Sequence, residues 1–580
     1  MGLIRNGSSA ATSSAIRIYF SYPFRSWALI VEIEMAIDAP TPSTEARERL
    51  ARAFAHHRAG RTAEARRDYE HLVKAQPTFA RAWHLYGTLL AQTGRAAEAV
   101  EAIRRASALQ PGDAACFNDL GNAYLSAGRV AQAIDAYGRA IDAKPGFADA
   151  HANRARALRW RGDAEAALSD YDRVIALEPR AHRIISERGI VLLNLHRYDD
   201  ALMSLRAAVT VEPRDPTVQL NLGYGLHQIG LEDEALSAFE AAIALEPRLT
   251  AAHVVIGALH HDAERPALAK AAFERAVSID PNCTEALAGL AALAHDAGNF
   301  DDSARLLAKV LELQPDNVSA WVNMGLIRLE SGDAVPAVDA FRRALKVNPR
   351  EKRAQAHLAI ALQHCGHTSE AAAILDLERL VSVRDLDTVE GWPSVTAFND
   401  ALVRRILDDP TLMRARKTVA TTNGDQSLEI LVGDDVVTCT LRTAIETEVH
   451  RYITEVLSTS GNAHANQATA AWRLSGWAVV LRSGGFQSPH IHPEGFTSGV
   501  YYARIPTCVH DGNAGHAGHI KFGQSKPWAE GAESQVGFLA RAIAPVPGRM
   551  VLFPSHFWHH TVPFESEEQR ICVAFDVLPV

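Results

Sequence analysis

The chain has 580 residues, 47% of them hydrophobic and 22% charged, with a formal net charge of -9. A chain of this length exceeds what one hydrophobic core can organise, so we expect two or more domains. The negative charge argues against nucleic acid and against an anionic membrane surface as partners. The six cysteines include no CxxC pair, so the sequence predicts neither a disulfide framework nor a zinc-thiolate site and favours the cytoplasm.

Residues 1–42 form a poorly defined N-terminal segment that shares no pattern with the rest. Its most apolar run, from Ala15 to Ile37, contains four charged residues and is too polar to span a membrane. Met35 opens a stretch that is typical of a chain start. We therefore expect an over-extended reading frame here.

The segment from residue 43 to residue 383 repeats with a period of 34 residues. Nine prolines mark the period: Pro77, Pro111, Pro145, Pro179, Pro213, Pro247, Pro281, Pro315 and Pro349. A turn glycine recurs in step and is interrupted only at His196 and Glu264. A small residue recurs at the position where two helices must touch, because a bulkier one would separate them.

This pattern resembles the tetratricopeptide repeat, with its W…LG…Y…A…F…A…P order and its helix-turn-helix unit. The resemblance implies an α solenoid of nine full repeats and a tenth helix pair, which offers a surface to a protein or peptide partner. Five asparagines on first helices are candidates for bonding a peptide backbone, or else belong to a solvated face: Asn118, Asn122, Asn153, Asn221 and Asn323.

A second domain, residues 384–580, begins where the period stops. Helices are predicted through Phe398 and Leu402 and from Leu441 to Leu457, the latter with Thr440 as its N-cap. From about residue 470 onward, short runs rich in β-branched and aromatic residues alternate with turns. We expect an α+β domain with a jelly-roll core over about residues 470–580.

Two histidine groups and an arginine in this domain point to metal chemistry. The first group contains His490, His492 and Glu494, and the second contains His559 and His560. Two histidines and a carboxylate on one face of Fe(II) leave positions open for a co-substrate and oxygen. Arg570, on the next predicted strand, suits pairing with a carboxylate.

The motifs from Pro489 to Tyr502 and from Phe553 to Val577 resemble those of the 2-oxoglutarate/Fe(II)-dependent dioxygenase superfamily. The resemblance implies a double-stranded β-helix, with Fe(II), 2-oxoglutarate and O2 as cofactor and co-substrates. It places the late metal ligand on His559 and the 2-oxoglutarate arginine on Arg570. On the following strand, Ser498 and Tyr502 should share one face and Tyr501 the other. We expect residues of this strand, including one of the tyrosines, to bind the co-substrate, with ordinary strand packing as the alternative.

The remaining metal ligands are open between two sets. A carboxylate would partly neutralise Fe(II), which favours His492 with Glu494. The H-x-H of the motif favours His490 with His492. We predict His490, His492 and His559, with Glu494 as the alternative.

The combination predicts a dioxygenase that hydroxylates a protein or peptide captured by the repeats. Two alternatives are a hydroxylase of a small molecule and a tetratricopeptide adaptor whose oxygenase-like domain is inactive.

Overall fold

The computed structural model describes residues 42–195, 197–415, 420–458, 471–510, 516–523 and 539–580. The expected N-terminal segment lies outside these residues except for residue 42. The chain divides into two compact units, one that ends at Pro281 and one that comprises Asn282–Val580. None of the described helices has both the length and the apolarity needed to cross a membrane.

The first unit consists of paired antiparallel helices that follow the 34-residue period. They are α1 (Thr44–Arg58), α2 (Thr62–Ala75), α3 (Ala80–Gln92), α4 (Ala96–Leu109), α5 (Ala114–Ser126), α6 (Val130–Ala143), α7 (Ala148–Arg161), α8 (Ala164–Leu177), α9 (His182–Asn194), α10 (Tyr198–Val211), α11 (Pro216–Gln228), α12 (Glu232–Leu245), α13 (Thr250–Asp262) and α14 (Pro266–Ile279).

Close helix contact explains the recurring small residues. A Cβ atom added to Gly121 in α5 would lie 2.4 Å from the Tyr137 ring of α6. Ala133 and Tyr137 are both fully buried beside it. Glu264, which interrupts the turn glycines, adopts φ 57° and so takes the same left-handed conformation. His196, the other interruption, lies outside the described residues.

The asparagines expected to bind a peptide are engaged within the array. Asn153 Nδ2 donates to Asn118 Oδ1 at 3.0 Å, and Asn221 Nδ2 donates to Ser186 Oγ at 2.9 Å. Both bonds join the first helices of consecutive repeats, and all four residues are buried. Asn122 accepts from Tyr137 within one helix pair, and Asn323 accepts from Arg353 of the next repeat. These side chains therefore stabilise the helix pairs and their stacking.

The second unit begins with further helix pairs and continues into smaller helices. They are α15 (Thr284–Asp296), α16 (Phe300–Leu313), α17 (Val318–Glu330), α18 (Ala334–Val347), α19 (Lys352–His364), α20 (Thr368–Ile374), α21 (Leu377–Leu380), α22 (Val395–Leu407), α23 (Val436–Arg451) and α24 (Thr507–His510). Helix α23 starts earlier than predicted, because Asp435 rather than Thr440 accepts the first free amides, those of Val437 and Thr438.

The strands of this unit form two antiparallel sheets. They are β1 (Ser382–Asp385), β2 (Met413–Arg414), β3 (Thr421–Gln426), β4 (Trp472–Gln487), β5 (Thr497–Arg504), β6 (Ile520–Phe522), β7 (Arg541–Ile543), β8 (Arg549–Pro554), β9 (His559–Thr561) and β10 (Arg570–Pro579). One sheet has the order β1-β8-β5-β10-β4-β3-β2, and the other has the order β7-β6-β9. A helical array is thus followed by a sheet-containing region. The jelly-roll topology of that region stays a prediction.

The larger sheet has a helical face and an opposite face. On the helical face, the Tyr501 ring lies 6.2 Å from the Phe398 ring of α22, and Ile445 and Val449 of α23 belong to the same buried cluster. Successive residues of a strand point to opposite faces, so Ser498 and Tyr502 point away from these helices. The candidate site is built on that opposite face.

Candidate metal centre and co-substrate site

Three histidines from two separate segments come together beside the larger sheet. His490 and His492 lie in the loop after β4, and His559 begins β9. The backbones of His490 and His559 exchange two hydrogen bonds of 3.1 Å, and His492 N donates to Ser555 O at 2.9 Å. One ring nitrogen from each histidine lies within 4.8 Å of the others. Backbone pairing thus holds the two segments in register at the cluster.

The outer nitrogen of each ring is held by an acceptor. His490 Nδ1 lies 2.7 Å from Ser488 O, and His559 Nδ1 lies 3.0 Å from Phe557 O. His492 Nδ1 lies 3.0 Å from Asp576 Oδ2. Because these oxygens only accept, each Nδ1 carries the hydrogen and each Nε2 presents a lone pair. This is the arrangement by which proteins orient metal-binding imidazoles.

Burial favours the neutral form of the His490 and His559 rings. Burial, and after it the neighbouring His492, lowers the pKa of His490 to about 3. Burial and the nearby His490 and His492 lower the pKa of His559 well below its usual value. Neutral imidazole is the protonation state that binds a metal.

The spacing of the free nitrogens fits a transition metal. His492 Nε2 lies 3.3 Å from His559 Nε2, and two lone pairs at this distance cannot bond each other. An imidazole nitrogen binds such metals at about 2.0–2.1 Å, which places adjacent ligands of one ion roughly 3 Å apart. A divalent cation would turn this repulsive contact into two bonds. The donor set of three imidazoles suits iron, copper, zinc or nickel.

Glu494 is not brought to the cluster. Its side chain is exposed, and the described Asp, Glu, His and Cys side chains that could hold a metal together here are the three histidines alone. The neighbouring His560 pairs with Lys521 in the register of β9 and β6 and points to the other side of its strand from His559. The structure therefore groups the H-x-H pair with His559 and leaves the H-x-E alternative apart.

A buried hydrogen-bond chain stands behind His492. Ser498 Oγ lies 2.8 Å from Ser555 Oγ and donates to Asp576 Oδ1 at 2.6 Å, while Asp576 Oδ2 faces His492. Ser498 was expected at the co-substrate, and the structure instead places it on the carboxylate that orients a ring. No local sequence pattern indicated a specific role for Asp576 or Ser555. The sequence did offer one indication that Asp576 has a role, because it is an acidic residue inside the apolar strand β10.

Arg570 is a buried cation without a buried anion. Its side chain is 1% exposed, and no carboxylate of the described residues forms an ion pair with it. Its Nη1 approaches only the Cys572 thiol, at 3.6 Å, and its Cζ lies 5.0 Å from the centre of the Tyr502 ring. The Nε atom has no hydrogen-bond partner in the described part of the chain. An uncompensated buried charge is costly, and an anionic group bound at this guanidinium would offset that cost.

Tyr501 lies away from this arrangement. Its hydroxyl donates to Asn399 Oδ1 of α22 at 2.7 Å, on the helical face of the sheet. The two neighbouring tyrosines thus divide between the faces, and the expected co-substrate role of Tyr501 finds no support in its position. Tyr502, against Arg570, lies where the expectation placed it.

Comparisons with known families agree with the two patterns in the chain. The family described as "Putative 2OG-Fe(II) oxygenase" matches residues 475–576, a range that includes the three histidines, Arg570 and Asp576. Two tetratricopeptide repeat families match residues 56–118 and 260–324, and residues 118–182, 186–252 and 232–283. The chain carries tetratricopeptide repeats and a C-terminal domain of this oxygenase family. The family implies Fe(II), 2-oxoglutarate and O2.

Solved structures resemble the helical part. Pseudomonas aeruginosa pilF is 23% identical, with a TM-score of 0.31, over 35% of this chain and 92% of its own. A tetratricopeptide repeat protein from Parabacteroides merdae is 15% identical, with a TM-score of 0.37, over 49% and 99%. Yeast Tom70 is 13% identical, with a TM-score of 0.35, over 63% and 97%. No functional conclusion rests on likenesses this distant. No curated protein matches the chain.

Proposed function

We propose that the protein is a 2-oxoglutarate- and Fe(II)-dependent dioxygenase that hydroxylates a protein or peptide captured by its tetratricopeptide repeats. The observation that carries the proposal is the convergence of three oriented imidazoles, each with its Nδ1 hydrogen bonded outward. His490, His492 and His559 would hold the iron. When bound, iron and 2-oxoglutarate together activate O2 for insertion into a C–H bond.

The residues around the histidines have separate tasks. Arg570 would bind the distal carboxylate of 2-oxoglutarate, and the Tyr502 ring lies against the guanidinium. Asp576 fixes the His492 ring and places a negative charge next to it. That charge partly replaces the one that a ligating carboxylate would supply, since imidazoles leave the charge of the ion uncompensated.

The repeats are the proposed site of substrate capture. Tetratricopeptide arrays mediate protein–protein interactions, and a captured partner raises the local concentration of its target residue. The six cysteines are free thiols, which suits the proposed cytoplasmic location.

The adaptor and small-molecule alternatives are less well supported. An inactive oxygenase domain has no need for a buried arginine without a counter-ion, because such a residue costs stability. A small-molecule hydroxylase leaves the long repeat array without a role in the reaction. The dioxygenase with a captured substrate uses both parts of the chain.

Anaerobic titration of the full chain with Fe(II) and 2-oxoglutarate tests the proposal. We expect a visible charge-transfer band and slow succinate release in air. His559→Ala should abolish both, while His560→Ala, which alters the adjacent histidine outside the cluster, should retain them. A wild-type chain that shows neither signal, or a His559→Ala variant that behaves like it, would contradict the proposal.

A further inference from the structure

The residues beside the metal-binding histidines are embedded in the last tetratricopeptide repeats. Trp558, which directly precedes His559, is 5% exposed and belongs to a hydrophobic cluster with Leu326, Phe341 and Leu358 of α17, α18 and α19. Ile491, which separates His490 from His492, packs against the same cluster. Both ligand-bearing segments therefore pack one apolar side chain against the repeats, Trp558 within the buried cluster and Ile491 at its edge.

His357 of α19 forms the centre of this contact. Its ring makes an edge contact with Trp558 at 5.2 Å between centroids and stacks on Phe341 at 5.8 Å. Its Nδ1 donates to Arg353 O at 2.7 Å, one helical turn earlier. His357 stands 34 residues after Asn323 and so occupies the position that holds stacking asparagines in earlier repeats. In the last repeat this position contacts the oxygenase domain.

Polar contacts reinforce the junction. Leu539 N donates to Gln363 Oε1 of α19 at 2.9 Å. Arg541 Nη1 donates to the carbonyls of Leu377 and Val381 at 2.7 and 2.9 Å. These bonds use directional backbone groups, so they fix position as well as contact.

Sequence adjacency links this junction to the metal ligands. Trp558 directly precedes strand β9, which His559 begins, and Ile491 lies in the loop between His490 and His492. Packing each apolar side chain against the repeats therefore restrains the backbone that carries the neighbouring ligand. This restraint adds to the backbone hydrogen bonds that pair His490 with His559.

We propose that the last tetratricopeptide repeat is a structural part of the metal centre, and that Trp558 and Ile491 are positioning residues through which α19 fixes the three histidines. The proposal deepens the proposed function, because it concerns the same site. It assigns the array a second role beside substrate capture. Helix α19, in the last repeat, would hold the residues next to the iron ligands in place.

The test is metal binding by the full chain without turnover, measured with Co(II) by absorption spectroscopy and with Fe(II) by anaerobic titration. Trp558→Ala should weaken binding of both ions about 10- to 100-fold, as loss of an outer support does elsewhere. At saturation its Co(II) spectrum should also differ in shape from that of the wild type. Trp558→Phe, which retains an aromatic ring against His357, should restore most of the affinity.

Two further variants separate positioning from general loss of stability. Ile491→Ala removes less buried volume and should weaken metal binding in the same direction. Phe239→Ala removes a fully buried aromatic ring from a repeat in the other unit, so it should lower the melting temperature without changing metal affinity or the Co(II) spectrum.

The outcomes distinguish the two proposals. Wild-type affinity and spectrum in folded Trp558→Ala and Ile491→Ala would overturn the positioning role and leave the dioxygenase proposal intact. A wild-type chain that binds neither ion would overturn both. If Trp558→Ala does not fold, as judged by circular dichroism, Ile491→Ala and Trp558→Phe decide the question by the same measurements.

Discussion

The ring nitrogens of the three histidines differ in what they face, and this difference supports the proposed function. Each Nδ1 has an acceptor at 2.7 to 3.0 Å, whereas the Nε2 atoms of His492 and His559 face each other at 3.3 Å. Histidines packed only for core stability would be expected to bond through both nitrogens. At the residue scale, this geometry therefore supports the proposed metal site.

Asp576 supplies the first prediction at this scale. Asp576→Asn keeps the shape of the side chain but removes the charge that faces His492. We expect Fe(II) affinity to fall about 10-fold or more, because the carboxylate strengthens the basicity of the ring. Asp385→Asn serves as the matched control, since that carboxylate pairs with Arg549 at the sheet edge. Equal metal affinity in the two variants would exclude this role for Asp576.

Arg570 gives a prediction with two opposite effects. Arg570→Met should weaken 2-oxoglutarate binding about 10- to 100-fold or more, because charge-assisted hydrogen bonds are worth about 1.5–3 kcal/mol each. The same variant should unfold at a higher temperature than the wild type when no ligand is present, because a buried unpaired charge is removed. Calorimetry and a 2-oxoglutarate titration measure the two effects.

The control for Arg570 is an arginine elsewhere in the sheets. Arg473→Met changes an exposed arginine on β4 and should leave both quantities unchanged. If Arg570→Met lowered stability and kept 2-oxoglutarate affinity, Arg570 would be a structural residue.

Within the helices, two glycines respond oppositely to the same substitution. Gly121→Ala should destabilise the protein by about 1–3 kcal/mol, because its Cβ would lie 2.4 Å from Tyr137. Gly138→Ala should stabilise α6 by about 0.5–1 kcal/mol, because its nearest neighbour is Arg154 Nη1 at 3.8 Å and alanine favours helix. Urea unfolding followed by circular dichroism compares them. A shift of the same sign in both would contradict the packing explanation.

Strand β5 divides its two tyrosines between structure and function. Tyr501→Phe should cost about 1–3 kcal/mol of stability, since it leaves the buried Asn399 without its partner, and should keep 2-oxoglutarate affinity. Tyr502→Leu removes the ring beside Arg570 and should weaken 2-oxoglutarate binding. Thermal unfolding and ligand titration of both variants check the division. A large loss of affinity in Tyr501→Phe would show that the face assignment is wrong.

The elements with a regular sequence period could be predicted from the sequence. The 34-residue spacing predicted the helix pairs, and the family resemblance brought His490, His492, His559 and Arg570 into one proposal. Strands β1, β2, β3, β7 and β9 were not predicted, because they are short and their pattern shows little alternation. The roles of Asp576 and Ser555 were not predicted, because they depend on strand register. The register sets Asp576 opposite Ser498, and a local sequence pattern does not determine it.

At the scale of the whole molecule, the boundary of the repeat array differs from the boundary of the compact units. The repeats were predicted to end at residue 383, yet the second unit already begins at Asn282 and includes α15 to α20. The last repeats therefore belong with the oxygenase domain in packing, while they belong with the array in sequence. Any dissection of the protein must choose between these two boundaries.

Two truncations turn this choice into a prediction. A chain of residues 282–580 retains the compact unit with Trp558 and Ile491 in their contacts, so we expect it to fold and to bind Fe(II) and 2-oxoglutarate. A chain of residues 384–580 loses α19 and should expose these side chains, lose metal affinity and aggregate. Size-exclusion chromatography and anaerobic Fe(II) titration compare them.

The longer fragment should still release succinate slowly but lose turnover of the partner that the first unit captures. Full turnover of that partner by residues 282–580 would refute capture by the first unit, and tight metal binding by residues 384–580 would refute support from the last repeat.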